Sequence, residues 1–148
     1  MDKSTGVLMH PILSKMWKDL QKEYFHMHVY MYLCFSMKGV NRLLWCSYLE
    51  KQYKSEMEHV KLFSDKLASF GYSINVDAFE AVPSINPDSF IDFLIDMEEI
   101  QVQNYINRIH ELELIPSMYD LKLFYEEQLE DSQADIDELK KIANIQRN

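Results

Sequence analysis

The sequence has few residues that interrupt a helix: it contains 3 glycines and 4 prolines among 148 residues. With so few breakers, we expect long regular elements joined by few turns. The hydrophobic fraction of 47% and the charged fraction of 26% are typical of a globular protein and exclude a disordered chain. We therefore predict a single domain over residues 1–148, with a substantial hydrophobic core.

Cysteine is also scarce, since Cys34 and Cys46 are the only two and have no CxxC spacing. Both stand in apolar helical surroundings, so we expect reduced buried thiols, as in an intracellular protein. The N-terminus lacks the apolar segment of a signal peptide, and no apolar run approaches the roughly 20 residues that span a membrane. These features predict a cytoplasmic protein without a membrane partner.

Basic residues are outnumbered, with 15 Lys and Arg against 24 Asp and Glu and a formal net charge of −9. A nucleic-acid partner is therefore not expected, because little positive charge is available to neutralise phosphates. The negative charge would attract cations, although acidic surfaces are common in proteins of many functions.

Apolar residues recur at spacings of three and four, which is the pattern of amphipathic helices. The pattern predicts four helices, at about residues 11–38, 42–70, 87–114 and 118–145. Gly39 and Gly71 are suited to end the first two helices, Asn41 to cap the second, and Asn86 to cap the third. Short links and a long connection over residues 72–86 predict an all-α antiparallel four-helix bundle with one crossover.

Each predicted helix carries polar side chains in its apolar stripe, close to its midpoint. They are Glu23, Glu56 with His59, Glu98 or Glu99, and Gln128. Antiparallel packing would bring these midpoints to one level, where several buried carboxylates require a cation to neutralise them. Oxygen ligands with one nitrogen suit iron or manganese, with zinc as an alternative. Each residue taken alone has a structural explanation, but the set predicts a two-metal site.

At these positions the chain resembles the ferritin family, of the non-haem bacterial type, over about residues 10–145. Glu23 is followed seven residues later by Tyr30, as in the first helix of ferritins. The stretch from Glu56 to His59 resembles the second-helix motif, Glu99 and the residues after it resemble the third helix, and Glu127-Gln128 resembles a pair in the fourth. The resemblance favours Glu99 over Glu98 as a ligand, a choice that the pattern alone leaves open.

The resemblance implies a ferroxidase that oxidises two Fe(II) ions per subunit with O₂ or H₂O₂ and stores ferric mineral in a homo-oligomeric, 24-subunit shell. One iron would be bound by Glu23, Glu56 and His59, and the other by Glu56 and Glu99, with Gln128 nearby. Tyr30 would take part in the oxidation. The alternative for Tyr30 is a core aromatic residue with a hydrogen-bonded hydroxyl.

The sequence departs from the family pattern in a respect that bears on assembly. We expect no fifth helix after the fourth, which leaves the size of the shell open. Bacterioferritins carry a second Glu-x-x-His motif in the fourth helix. This chain lacks that motif, so we do not expect haem. Glu127, Glu130 and Asp131 form either an accessory iron site or a solvated acidic face.

The alternative function is a di-metal oxidoreductase that scavenges peroxide and stores little iron. A third hypothesis, a non-catalytic helical interaction module, would leave the buried polar residues unexplained.

Overall fold

The computed structural model describes residues 10–73 and 79–147, and within these ranges it contains α-helices and no strand. In chain order the elements are α1 (Ile12–Ser36), α2 (Gly39–Ser69), α3 (Phe90–Glu113), a 3-10 turn (Pro116–Met118) and α4 (Tyr119–Arg147). None of the described helices has the length and apolar character needed to cross a membrane. The chain divides into two compact units, Met1–Pro83 and Ser84–Asn148.

The first unit is a hairpin of α1 and α2, joined by Met37 and Lys38 alone. The two helices are antiparallel, because Cys34 near the end of α1 lies against Cys46 near the start of α2. The turn is tight because Gly39 adopts a φ of +60°, a conformation that costs a glycine little.

The second helix begins earlier than the sequence indicates. It starts at Gly39, so the prediction that Asn41 caps a helix beginning near residue 42 is wrong. Lys38 occupies the N-cap position and makes no capping hydrogen bond with its side chain. At the other end the prediction for Gly71 is confirmed. Its φ is +75°, its N–H donates to the Ala68 carbonyl at 2.9 Å, and the Tyr72 N–H donates to the Leu67 carbonyl at 3.1 Å.

The core of the first unit is formed by the apolar stripes of α1 and α2. Its fully buried members include Met16, Leu20, Val29, Leu49 and Phe63. Burial of a side chain of this size contributes on the order of 1.5–3 kcal/mol, so the stripes account for the hairpin. The described part of the connection after α2 packs on α1: the Phe79 ring lies 4.6 Å from that of Tyr24.

The second unit is a hairpin of α3 and α4. Before α3, the Asn86 side chain accepts a hydrogen bond from the Asp88 N–H at 2.9 Å, and the helix begins at Phe90, three residues later than predicted. The local Asn86–Asp88 bond holds a turn there, which explains the delay. Between the helices, the Tyr105 and Tyr125 rings meet edge to face at 5.7 Å. Both tyrosines are fully buried.

Candidate metal centre

Three metal-binding side chains converge in the interior of the first unit. Glu23 of α1 and Glu56 and His59 of α2 are 1%, 2% and 6% exposed. One ligand atom from each lies within 4.8 Å of the other two. His59 Nδ1 is 3.3 Å from Glu56 Oε1 and 3.5 Å from Glu23 Oε2. The donor set of two carboxylates and one imidazole suits a divalent metal ion such as iron.

The helices explain why these side chains meet. Glu56 and His59 are three residues apart, which places them on one face of α2. Glu23 lies in the buried stripe of α1, between Leu20 and Tyr30, which are also buried. The antiparallel register of the hairpin then brings Glu23 opposite the Glu56–His59 pair. The three polar side chains are held by the same stripes that form the apolar core.

In the metal-free protein this cluster is an ion pair. Burial alone would lower the pKa of His59, but hydrogen bonds to Glu23 and Glu56 and their negative charges outweigh it and raise that pKa to about 11. Burial would likewise raise the pKa of Glu23, yet the hydrogen bond and charge of His59 lower it to about 2. An imidazolium therefore pairs with the Glu23 carboxylate at neutral pH, and a metal ion would have to replace its proton.

A second imidazole in this cluster is absent from our sequence-based prediction. His26 of α1 is 3% exposed, and its Nδ1 lies 3.6 Å from Glu56 Oε2. Burial lowers the pKa of His26 to about 4, so the ring is neutral at pH 7 and forms no ion pair there. The signal was present in the sequence, because Glu23 and His26 have the same spacing as Glu56 and His59.

Other polar groups of the first unit are also buried. Tyr30 lies two turns after Glu23 on α1 and is fully buried. Gln52 is one turn before Glu56 on α2 and is 6% exposed. Within the described part of the chain, no hydrogen-bond donor reaches the buried Gln52 Oε1. A buried amide oxygen without a donor is costly, and a bound cation or its water would satisfy it.

In the second unit, the two candidate glutamates of α3 have different surroundings. Glu98 is 1% exposed, whereas Glu99 is an exposed residue whose carboxylate lies 3.5 Å from Lys140 Nζ. Successive residues on a helix point about 100° apart, so the two side chains have different surroundings. The structure therefore places Glu98, and not the Glu99 that we predicted, in the interior.

The side chain facing Glu98 within this unit is also absent from our prediction. One carboxylate oxygen of Glu98 and one of Asp135 on α4 lie within 4.8 Å of each other. Gln128, two turns before Asp135, is 2% exposed, and no donor among the described residues reaches its Oε1. A cation near Glu98 and Asp135 would relieve the repulsion between the two carboxylates. The potential ligand atoms buried in the second unit are thus oxygens, whereas those in the first unit are oxygens and nitrogens.

The proposed accessory residues have a different location. Glu127, Glu130 and Asp131 are exposed on α4, whereas Gln128 between them is buried. Their exposure agrees with the alternative of a solvated acidic face.

Comparison with known proteins identifies the class to which this fold and cluster belong. The profile of the ferritin-like domain matches residues 14–148, and the chain belongs to the ferritin-like domain family. Among solved structures it is similar to a ferritin-like, diiron-carboxylate protein from Bacillus anthracis str. Ames, with a TM-score of 0.78 and 16% sequence identity. That likeness covers 90% of this chain and 99% of the other. No protein of curated function matches the sequence significantly.

These findings confirm the predicted family and the all-α ferritin-like fold. Together with the buried cluster of Glu23, Glu56 and His59, they support a carboxylate and histidine metal site in the chain.

Proposed function

We propose that this protein is a cytoplasmic ferroxidase that binds two Fe(II) ions per chain, oxidises them with O₂ or H₂O₂, and stores the ferric product in a homo-oligomeric shell. The observation that carries the proposal is the buried cluster of Glu23, Glu56 and His59, since its ligand atoms already lie within 4.8 Å of one another. A site that needs little rearrangement binds metal without a large ordering cost.

Glu56 is the bridging ligand in this proposal. Its Oε1 faces His59 at 3.3 Å, and its Oε2 faces His26 at 3.6 Å. The two oxygens of this carboxylate face different nitrogen atoms. The proposal that each oxygen contacts one ion rests on the family resemblance. Glu23 and His59 would complete the ligands of the first iron.

The ligands of the second iron are proposed on the family resemblance and on burial. We assign Glu98 in place of Glu99, because Glu98 is buried and Glu99 is exposed. Gln128 is retained, because its buried Oε1 lacks a donor among the described residues. Asp135 is added on its proximity to Glu98.

The reaction takes one electron from each iron. With O₂, two Fe(II) and two protons give two Fe(III) and H₂O₂; with H₂O₂, they give two Fe(III) and two water molecules. Carboxylate ligands favour the ferric product, because they stabilise the higher charge. Tyr30 is retained as a participant in the oxidation, and its burial on α1 near Glu23 is compatible with that role.

Storage requires a cavity, and so an assembly. Large apolar side chains that a monomer would leave in water support self-association, among them Leu43 at 86%, Val40 at 68% and Phe35 at 63% exposure. The alternative function is a di-metal, peroxide-scavenging oxidoreductase that stores little iron. It differs from the storage protein in assembly size and iron capacity.

The test is anaerobic titration with Fe(II) followed by addition of O₂ or H₂O₂, monitored by absorbance of the ferric product. About two irons per chain should be consumed in the fast phase. Glu56→Gln should abolish that phase, whereas Glu58→Gln, an exposed glutamate on the same helix, is the matched control. Equal rates for Glu56→Gln and wild type would overturn the assignment.

Repeated iron loading separates storage from the alternative. Uptake of many irons per chain by a large assembly, measured by light scattering and metal analysis, supports storage. Saturation at about two irons per chain supports the peroxide-scavenging alternative.

A further inference from the structure

The two cysteines face each other across the α1–α2 hairpin. Cys34 Sγ lies 3.2 Å from Cys46 Sγ, and both thiols are free. Cys34 Sγ also lies 3.6 Å from the Cys46 carbonyl oxygen, and Cys46 Sγ lies 3.9 Å from that of Cys34. A disulfide bond is about 2.05 Å long, so the sulfurs must approach by about 1 Å more to form one.

The two thiols differ in exposure. Cys34, in the last turns of α1, is 3% exposed, whereas Cys46, in the second turn of α2, is only partly buried. An oxidant in solution would therefore meet Cys46 first. Burial, with the hydrogen bond to Cys46, raises the pKa of Cys34 to about 11, which keeps Cys34 a thiol until its neighbour has been oxidised.

We propose that Cys34 and Cys46 form a reversible, two-electron redox site that is oxidised by hydroperoxides to a disulfide between α1 and α2. The site is separate from the metal centre, because Cys34 is 11 residues after Glu23 on a continuous helix. At 1.5 Å per residue, that places it roughly 16 Å along the helix axis. The proposal does not depend on the proposed ferroxidase activity.

The reaction balances in two steps. The Cys46 thiolate attacks one oxygen of H₂O₂, so that the O–O bond breaks and Cys46 sulfenic acid forms with loss of hydroxide. The Cys34 sulfur then attacks the sulfenic sulfur, so that the S–S bond forms and the S–O bond breaks. The hydroxyl group leaves with the Cys34 proton as water. The hydroxide takes up the proton that the Cys46 thiol lost on forming the thiolate, so one peroxide is reduced to two molecules of water. A dithiol such as dithiothreitol restores both thiols.

The test uses the purified, metal-free full-length protein as it assembles in solution. H₂O₂ is added at a few equivalents per chain, and thiol alkylation and intact mass are followed with time. We expect both thiols to be lost together, the chain mass to fall by two hydrogen atoms, and the chain to run as a monomer on a non-reducing denaturing gel. Dithiothreitol should restore both thiols.

Two single substitutions are the matched controls. Cys34→Ser should leave Cys46 to gain oxygen atoms or to form dimers between chains. Cys46→Ser should slow the loss of Cys34 at least about tenfold, because a buried thiol with a raised pKa reacts slowly.

The proposal is overturned if wild-type thiols are lost only after denaturation, if the mass rises by oxygen atoms instead of falling, or if Cys34 reacts at one rate with and without Cys46. The wild-type mass measurement decides on its own if either variant fails to fold.

Discussion

His26 Nδ1 lies 3.6 Å from Glu56 Oε2, although the two residues belong to different helices. Because the other oxygen of Glu56 faces His59 at 3.3 Å, the carboxylate is held between a neutral and a protonated imidazole. His26 is thus a neutral histidine in the interior, with consequences for stability at acid pH.

We expect the metal-free protein to lose stability between pH 6.5 and pH 4 on account of His26. Its pKa is about 4 in the folded chain against 6.5 as the ordinary value. Over that interval the unfolded state binds a proton that the folded state does not, so stability falls as pH falls. The free energy of unfolding should therefore fall less between pH 7 and pH 5 in His26→Gln than in wild type, by about 1–2 kcal/mol.

The measurement is urea denaturation of wild type and His26→Gln at both pH values and one protein concentration. The comparison with the variant cancels the contributions of other titrating groups. Identical pH dependence of the two proteins would show that His26 is not held neutral by the fold.

Metal binding should release about one proton per chain at pH 7. The pKa of His59 is about 11 in the metal-free protein, so its ring is protonated there and must lose the proton to act as a ligand. Glu23, with a pKa of about 2, is already ionised and releases none.

Calorimetry with Co(II) in buffers of different ionisation enthalpy counts the protons. His59→Gln, which carries no proton at this position, should release none from it and should bind more weakly. Proton-free binding by wild type would contradict the assignment of His59 as an imidazolium in the metal-free protein.

The two neighbouring glutamates of α3 should respond differently to substitution. Glu98→Gln should slow Fe(II) oxidation at least about tenfold, because it replaces a buried carboxyl group that we assign to the second iron. Glu99→Gln should change the rate by less than about twofold, since it removes only an exposed ion pair with Lys140.

Initial rates of Fe(II) oxidation and the number of irons bound under anaerobic conditions measure both effects. The reverse order, with Glu99→Gln the slower variant, would restore Glu99 as the ligand. Circular dichroism verifies that each variant keeps its helices.

Assembly should depend on Leu43, whose side chain is 86% exposed. Leu43→Glu would place a charge on an apolar surface that the chain otherwise leaves in water, so we expect a shift toward smaller species. Lys51→Glu, at an exposed polar position of the same helix, is the control and should assemble as wild type does. Light scattering after size exclusion measures the change, and an unchanged Leu43→Glu assembly would remove this surface from the contacts between chains.

The helices and their buried stripes could be predicted because apolar residues recur at helical spacing over long stretches. The apolar pattern left the choice between Glu98 and Glu99 open, and only the family resemblance favoured Glu99. Apolar residues of α3 such as Val102 and Ile106 are only partly buried, so they do not mark the buried face of the helix. The buried stripe instead runs through polar side chains and is Leu94, Glu98, Gln101 and Tyr105.

Apolar periodicity predicts neither His26 nor Asp135, because a single histidine or aspartate beside a stripe is usually solvated. The spacing from Glu23 was a signal for His26, whereas only the fold reveals that Asp135 lies close to Glu98. The predicted start of α2 was too late because we interpreted Gly39 only as the residue that ends α1. Gly39 has the positive φ expected of such a residue, at +60°, but it is also the first residue of α2.

Because only two residues link α1 to α2, the number of residues between Glu23 and Glu56 determines how these side chains face each other. One residue inserted on either helix between the cluster and the turn would rotate the side chains beyond it by about 100° and move them about 1.5 Å along the axis. Glu23 would then lose its position opposite His59, although every ligand would still be present in the sequence. Insertions between Ser69 and Phe90 lie outside this segment and leave its register unchanged. We therefore expect functional relatives to vary in length in that connection and to keep the spacing across the hairpin constant.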